Sequence, residues 1–212
     1  MKIVRVLKES LQEYSDHISI VFFVFGCNFH CQFCYNYDFI SDPENILDET
    51  PFELIDTFVN PLIDGLVFLG GEPTIYGESL FEVAKYAKDT YNLDIKLFTN
   101  GTRPEIVLEG LKQGLFDFIS IDYKTVDNIQ GTIDTSKSGQ SFENYHKGLL
   151  TLLERISQQG FSSKVEIRTT RFKGMPDEEL IAIRETCARL NLQHITQPDM
   201  LESYLASGML ES

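Results

Sequence analysis

No apolar run in this sequence approaches a membrane span. The longest, Ile18 to Phe25, is interrupted by Ser19 and falls far short of the roughly 20 residues a spanning helix needs. The amino terminus lacks the basic and then apolar pattern of a secretory leader, so the expectation is a cytoplasmic protein with no membrane association. Cations are scarce as well. Eighteen Lys and Arg stand against 32 Asp and Glu, a net charge of −14, and no basic stripe offers itself to a phosphate backbone. That argues against nucleic acid as a partner. Internal repeats, low-complexity tracts and evident linkers are absent, which reads as one domain over residues 1–212. Residues 199–212, with Leu201, Tyr204, Leu205 and Leu210, form an amphipathic carboxyl-terminal tail. Cysteine is rare too, with four in the chain, yet three of them fall between Gly26 and Asn36.

That crowding argues against the ordinary uses of cysteine. A disulfide framework wants an even number and an oxidising compartment, whereas clustered thiols in a reduced one bind metal or do chemistry. A structural zinc site wants four ligands. The stretch Cys27-Asn28-Phe29-His30-Cys31-Gln32-Phe33-Cys34 supplies three thiols, with His30 the one candidate for a fourth ligand. Cys187 belongs to an apolar stripe with Leu180, Ile183 and Leu190 and reads as a core thiol, and His194 reads as structural. Iron–sulfur clusters are held by thiolates, normally four for a four-iron cluster, and three leave one iron open.

Strand patterns occur at Ile18–Phe25, Gly65–Leu69, Asp94–Thr99, Asp117–Tyr123, Lys164–Thr170 and Gln193–Thr196. Helical patterns separate them. One opens at Thr50-Pro51-Phe52-Glu53, a capping box with proline at the first helical position, and carries Phe52, Ile55, Val59 and Leu62 as a stripe. Another spans Glu78 to Tyr91. A third starts near Thr102 and Glu105 and stops at Gly114; a long one follows Ser141 and ends at Gly160; the last starts at Pro176. Alternating strands and helices predict an α/β fold with a parallel sheet, either an incomplete barrel or an open doubly wound sheet. Period 2 puts Ser120, Asp122 and Lys124 on one side of their strand, and Glu166, Arg168 and Thr170 on one side of theirs. Strands with helices outside are apolar on both faces, so these polar positions point to a wet or ligand-filled interior.

The spacing C-x3-C-x2-C, with aromatic Phe33 before the last cysteine, resembles the signature of the radical S-adenosylmethionine (SAM) superfamily. Gly70-Gly71-Glu72-Pro73 follows a strand where that superfamily keeps its Gly-Gly-Glu segment, and the resemblance runs from Ser10 to about Arg171. It implies an incomplete parallel (β/α)6 barrel, a [4Fe-4S] cluster on Cys27, Cys31 and Cys34, and SAM bound at the open iron. Reductive cleavage of SAM to a 5′-deoxyadenosyl radical would then abstract hydrogen. Gly70, Gly71 and Glu72 would meet the SAM ammonium, and Lys124 and Arg168 its carboxylate. Asn100, Ser120 and Asp122 would meet the ribose, and Phe33 and Tyr35 the adenine.

Within the superfamily, one remaining cysteine is too few to build a second cluster from Cys alone. The stretch from Ser10 to Phe29, with Cys34-Tyr35-Asn36, is similar to activating proteins of anaerobic ribonucleoside-triphosphate reductase. Asp122-Tyr123-Lys124 resembles the Asp-x-Lys of pyruvate formate-lyase activases, although Phe98 stands where those carry Asp. The resemblance implies a glycyl-radical enzyme, a large anaerobic reductase subunit, as protein substrate, and a flavodoxin or ferredoxin-type electron donor. Two alternatives stay open. One is a 7-carboxy-7-deazaguanine synthase of queuosine biosynthesis, whose usual Gly-Glu-Gly is missing at Leu11-Gln12-Glu13-Tyr14. The other is a non-catalytic zinc or iron–sulfur module.

Overall fold

The computed structural model describes residues 1–128 and 131–198, and the tail expected at 199–212 lies outside the described residues. In chain order the elements are β1 (Ile3–Ser10), β2 (Ser19–Val24), β3 (His30–Cys31), α1 (Tyr37–Ser41), α2 (Pro51–Phe58), β4 (Gly65–Gly70), α3 (Glu78–Tyr91) and β5 (Asp94–Thr99). There follow α4 (Pro104–Lys112), β6 (Phe118–Asp122), β7 (Ile133–Asp134), α5 (Phe142–Gln158), β8 (Val165–Arg171), α6 (Asp177–Arg189) and β9 (Gln193–Pro198). All six expected strands form, as β2, β4, β5, β6, β8 and β9, and the fold class is the expected α/β. The chain divides into two compact units, Met1–Cys27 with Asn36–Ser120, and Asn28–Tyr35 with Ile121–Ser212.

In the first unit β2, β4 and β5 run parallel in neighbouring positions, in registers Val21↔Val67 and Val67↔Lys96. Leu66, Val67 and Phe68 are fully buried, as a strand covered on both faces must be. Each such side chain contributes about 1.5–3 kcal/mol of transfer free energy. The sequence patterns did not reveal β1, which pairs antiparallel with β2. Its Arg5, Lys8 and Glu9 are exposed, and only Ile3 and Val4 are buried, so it shows no clean alternation.

The capping box opening α2 is present, with the Thr50 hydroxyl accepting from Glu53 N and the Glu53 carboxylate accepting from Thr50 N. The stripe expected to reach Leu62 stops short. Val59 is already extended and Leu62 is 66% exposed, because Pro61 disfavours helical backbone at Asn60. Thr102 does not cap α4 either: its hydroxyl donates to Asn100 Oδ1 at 2.7 Å, and Arg103 takes the cap position.

The second unit holds the parallel pair β8 and β9 and a two-residue antiparallel ribbon of β3 with β7. Ser141 caps α5 as expected. Cys187 lies in the buried face of α6 with Leu180 and Ile183, 1% exposed, a core thiol.

Candidate functional site

In the first unit the carboxyl ends of β2, β4 and β5 carry Gly26-Cys27, Gly70-Gly71-Glu72 and Asn100-Gly101. Carboxyl ends of parallel strands are where α/β folds place their chemistry. The glycine pair makes a close approach, and the partner is the chain itself. Gly71 N donates to Val24 O at 3.1 Å, and Glu72 N donates to Gly26 O at 2.9 Å. A Cβ on Gly71 would stand 1.8 Å from Gly26 O. Gly70 has φ of +102°, and a Cβ there would lie 2.8 Å from Phe23 Cα. The two glycines therefore fix the backbone immediately before Cys27.

Glu72 is 1% exposed and gathers donors. Its Oε1 accepts from Thr74 N (3.0 Å), the Thr74 hydroxyl (2.5 Å) and the Thr99 hydroxyl (2.7 Å), and its Oε2 accepts from Asn100 N (2.6 Å). Burial pushes this carboxyl above the usual carboxylate range while the donors pull it down. The carboxylate braces the end of β4 to the end of β5. Asn100 is 4% exposed, and its Oδ1 takes Thr102 N at 3.0 Å in an Asx turn. Ser120 is fully buried in β6.

In the second unit Cys31 lies in β3, and a turn places Cys34 N 3.0 Å from Cys31 O. None of the four cysteines is in a disulfide. Burial pushes the Cys31 thiol up to about 11, against the pull of Lys124. Lys124 Nζ is 2.7 Å from Asp122 Oδ2 and 5.7 Å from the centre of the Phe33 ring. Burial works against its charge, but Asp122 and the Cys31 sulfur hold it above the usual lysine range. Phe33 stacks on Phe172 with ring centres 5.0 Å apart and planes 6° from parallel. Tyr35 is 50% exposed. Arg168 Nη2 donates to Gln197 Oε1 at 2.7 Å. The second unit thus brings Cys31, Phe33, Asp122 and Lys124 together, and sets Arg168 against β9.

The sequence patterns missed three contributors here. Tyr145 on α5 is buried, packs edge-on against Phe29 of the cysteine loop at 4.8 Å, and lies in the field of Lys124, Asp122 and Cys31. Its stripe with Leu149 and Leu152 marked only a core face. Glu179 and Asn128 organise the loop after β6; no motif announces them.

Three thiols within eight positions of sequence, with the fourth shut inside α6, match in number the donor set that would suit a cluster with one iron left open. Among the described residues no three His, Cys, Asp or Glu side chains stand ready-made around an ion. The Cys3His arrangement meets a further obstacle. His30 and Cys31 are consecutive in β3, one exposed and one buried, so they face opposite ways.

The family model described as the radical SAM superfamily matches residues 21–187. Two proteins of Methanocaldococcus jannaschii, both provisionally named glycyl-radical enzyme activating enzymes, are similar to the chain. One is 29% identical over 91% of this chain and 78% of its own length. The other is 30% identical over 77% of this chain and 59% of its own. The GTP 3′,8-cyclase of Campylobacter lari is 27% identical over 87% of this chain and 56% of its own. A solved structure described as native anSMEcpe with bound AdoMet and Cp18Cys peptide matches with TM-score 0.59 at 17% identity, over 82% of this chain. At that identity the likeness is one of fold. The chain spans about half of that structure, 48%. No helix among the described residues is long and apolar enough to cross a membrane.

Proposed function

Because the chain belongs to the radical SAM superfamily, we propose that it is an activating enzyme that generates a glycyl radical on a partner protein. The reaction couples one-electron reductive cleavage of SAM to loss of a hydrogen atom from a glycine Cα. It gives methionine, 5′-deoxyadenosine and the glycyl radical, with the electron drawn from a flavodoxin or ferredoxin-type donor. Cys27, Cys31 and Cys34 would hold a [4Fe-4S] cluster, which supplies one-electron reduction and an iron with an open ligand position.

The chain's own residues bind and orient. The carbonyls of Gly70 and Gly71 serve the SAM ammonium, and Glu72 holds their strand end in place. Lys124 and Arg168 serve the carboxylate. Asn100, Ser120 and Asp122 serve the ribose, and Phe33 and Tyr35 the adenine. A largely buried cation in the field of a thiol suits a site where an anion replaces water.

The observation that carries the reading is the shared naming of two similar proteins as glycyl-radical activating enzymes, one over 91% of this chain. The test is anaerobic. The chain is reconstituted with iron and sulfide, then given SAM, dithionite and a glycine-loop peptide deuterated at Cα. Deuterium in 5′-deoxyadenosine supports the proposal. SAM cleavage that survives Cys31→Ala would sink it. A small-molecule hydrogen donor is the second reading, supported by the similarity to the GTP 3′,8-cyclase. SAM cleavage that accelerates with GTP but not with the peptide would select it.

A further inference from the structure

Inside the second unit a run of hydrogen bonds leads from α6 to the cysteine loop. Glu179, in the first turn of α6 and 5% exposed, receives Val126 N and the Thr125 hydroxyl on Oε2 (2.5 and 3.0 Å) and Asp127 N on Oε1 (3.1 Å). The Thr125 hydroxyl in turn accepts from Asn128 N at 3.1 Å. Asn128 adopts φ of +48°, a conformation asparagine tolerates better than most residues. That turn aims its side-chain amide at one residue of β7: Oδ1 accepts from Ile133 N (2.8 Å) and Nδ2 donates to Ile133 O (2.9 Å). Ile133 is the register partner of Cys31 across the ribbon, and Gln32 N donates to Thr132 O at 2.9 Å.

A two-residue ribbon is far too short to hold itself together in water. The N–H and C=O of Ile133 are both engaged by Asn128, so the amide stands where a third strand would. Cys31 is the buried thiol of the loop, whereas Cys27 and Cys34 are half-buried. We propose that Asn128, seated by Glu179 through Thr125, is the positioning residue that holds β7 over β3 and thereby fixes and screens Cys31. Neither side chain is a ligand; both act through β7. The role as a ligand-positioning device rests on reading Cys31 as a cluster ligand, whereas the screening of Cys31 does not.

The test uses the full metal-free chain with thiols reduced. Iodoacetamide is added at fixed pH, and modification of each cysteine is followed by mass spectrometry. Cys187, in the core of α6, reports opening of the whole unit. In Asn128→Gly, which keeps the backbone turn and removes the amide, Cys31 should be alkylated roughly tenfold faster, as expected for losing one or two net hydrogen bonds. Cys187 should stay at its native rate. Glu179→Gln should shift Cys31 in the same direction, and Asn128→Asp, which keeps the bond from Ile133 N but sets a carboxylate oxygen against Ile133 O, should also react faster than native. An unchanged Cys31 rate in both Asn128→Gly and Glu179→Gln overturns the proposal, as does a Cys187 rate that rises in step with Cys31 in both. Iron incorporation in parallel separates the two readings. A native chain that takes up no iron overturns the cluster, while the alkylation result still decides the clamp.

Discussion

Two buried glutamates, one in each unit, solve the same problem on different kinds of backbone. Glu72 ties the ends of two parallel strands; Glu179 ties an irregular loop to a helix. Four donors meet Glu72 and three meet Glu179, all hydroxyls or backbone N–H groups. In both, each carboxylate oxygen faces at least one backbone N–H. An amide cannot imitate that, because whichever way it is turned its NH2 meets a donor. The difference is what is being held. At Glu72 the strands are already fixed by their ladder, so the carboxylate sets only the last residues. At Glu179 the loop has no ladder, and the carboxylate supplies the order.

The largest effect should come from breaking the first brace. Glu72→Gln leaves buried donors opposed and should lower unfolding stability by about 3 kcal/mol or more, read from the denaturant midpoint. A midpoint within error of the native one would show that the strand ends need no brace. Next is Gly71→Ala, whose Cβ must displace the Gly26 carbonyl 1.8 Å away. We expect about 1–3 kcal/mol of strain and weaker iron retention, since the displaced residue precedes Cys27. Cys187→Ala sharpens the comparison by removing packing without any polar partner. It should cost about 1–2 kcal/mol, at the low end of core truncations, and leave iron content unchanged.

The smallest effect concerns a carboxylate paired with a histidine. His17 Nε2 lies 3.1 Å from Asp94 Oδ2 at the surface. Burial works against the charge on His17, but the Ser15 carbonyl and Asp94 outweigh it and raise its pKa. A raised histidine stabilises the fold fully below its unfolded value of about 6.5 and loses that contribution as pH rises through the folded value. With the Asp94 carboxylate half exposed, the contribution is about 0.2–1 kcal/mol. Thermal melts across this range should slope downward with pH in the native chain and flatten in His17→Ala.

Five of the six strands that the sequence revealed have buried centres; β9, also expected, has no buried residue. β5 is found at its expected bounds because Ile95 and Leu97 are fully buried between turn signals. The capping box of α2 was legible because it is local, a contact between Thr50 and Glu53. Its end was misjudged because a continuing apolar stripe outweighed the proline at 61. β3 and β7 were illegible because two residues cannot display a period. Glu179 was hidden for another reason. In Asp177-Glu178-Glu179 it reads as acidic complement to a helix amino terminus, and nothing local says that one of the three turns inward. At the candidate site, spacing made Cys31, Phe33 and the glycine pair visible. Their contacts with Phe172, Lys124 and the Val24–Gly26 backbone join residues tens of positions apart.

The cysteine loop is anchored by hydrogen bonds from the protein's own backbone. Gly26 N donates to Ile40 O at 2.7 Å, Gly26 O receives Glu72 N, and Gln32 N donates to Thr132 O. Ordering one residue costs about 1–2 kcal/mol of backbone entropy, and here much of that ordering belongs to the fold itself. Small metallo-domains that fold only around their metal carry the opposite signature, because their binding free energy is also folding free energy. In this chain ion uptake should be a local event with a small heat-capacity change. Removal of the ion should leave the circular dichroism spectrum almost as it was.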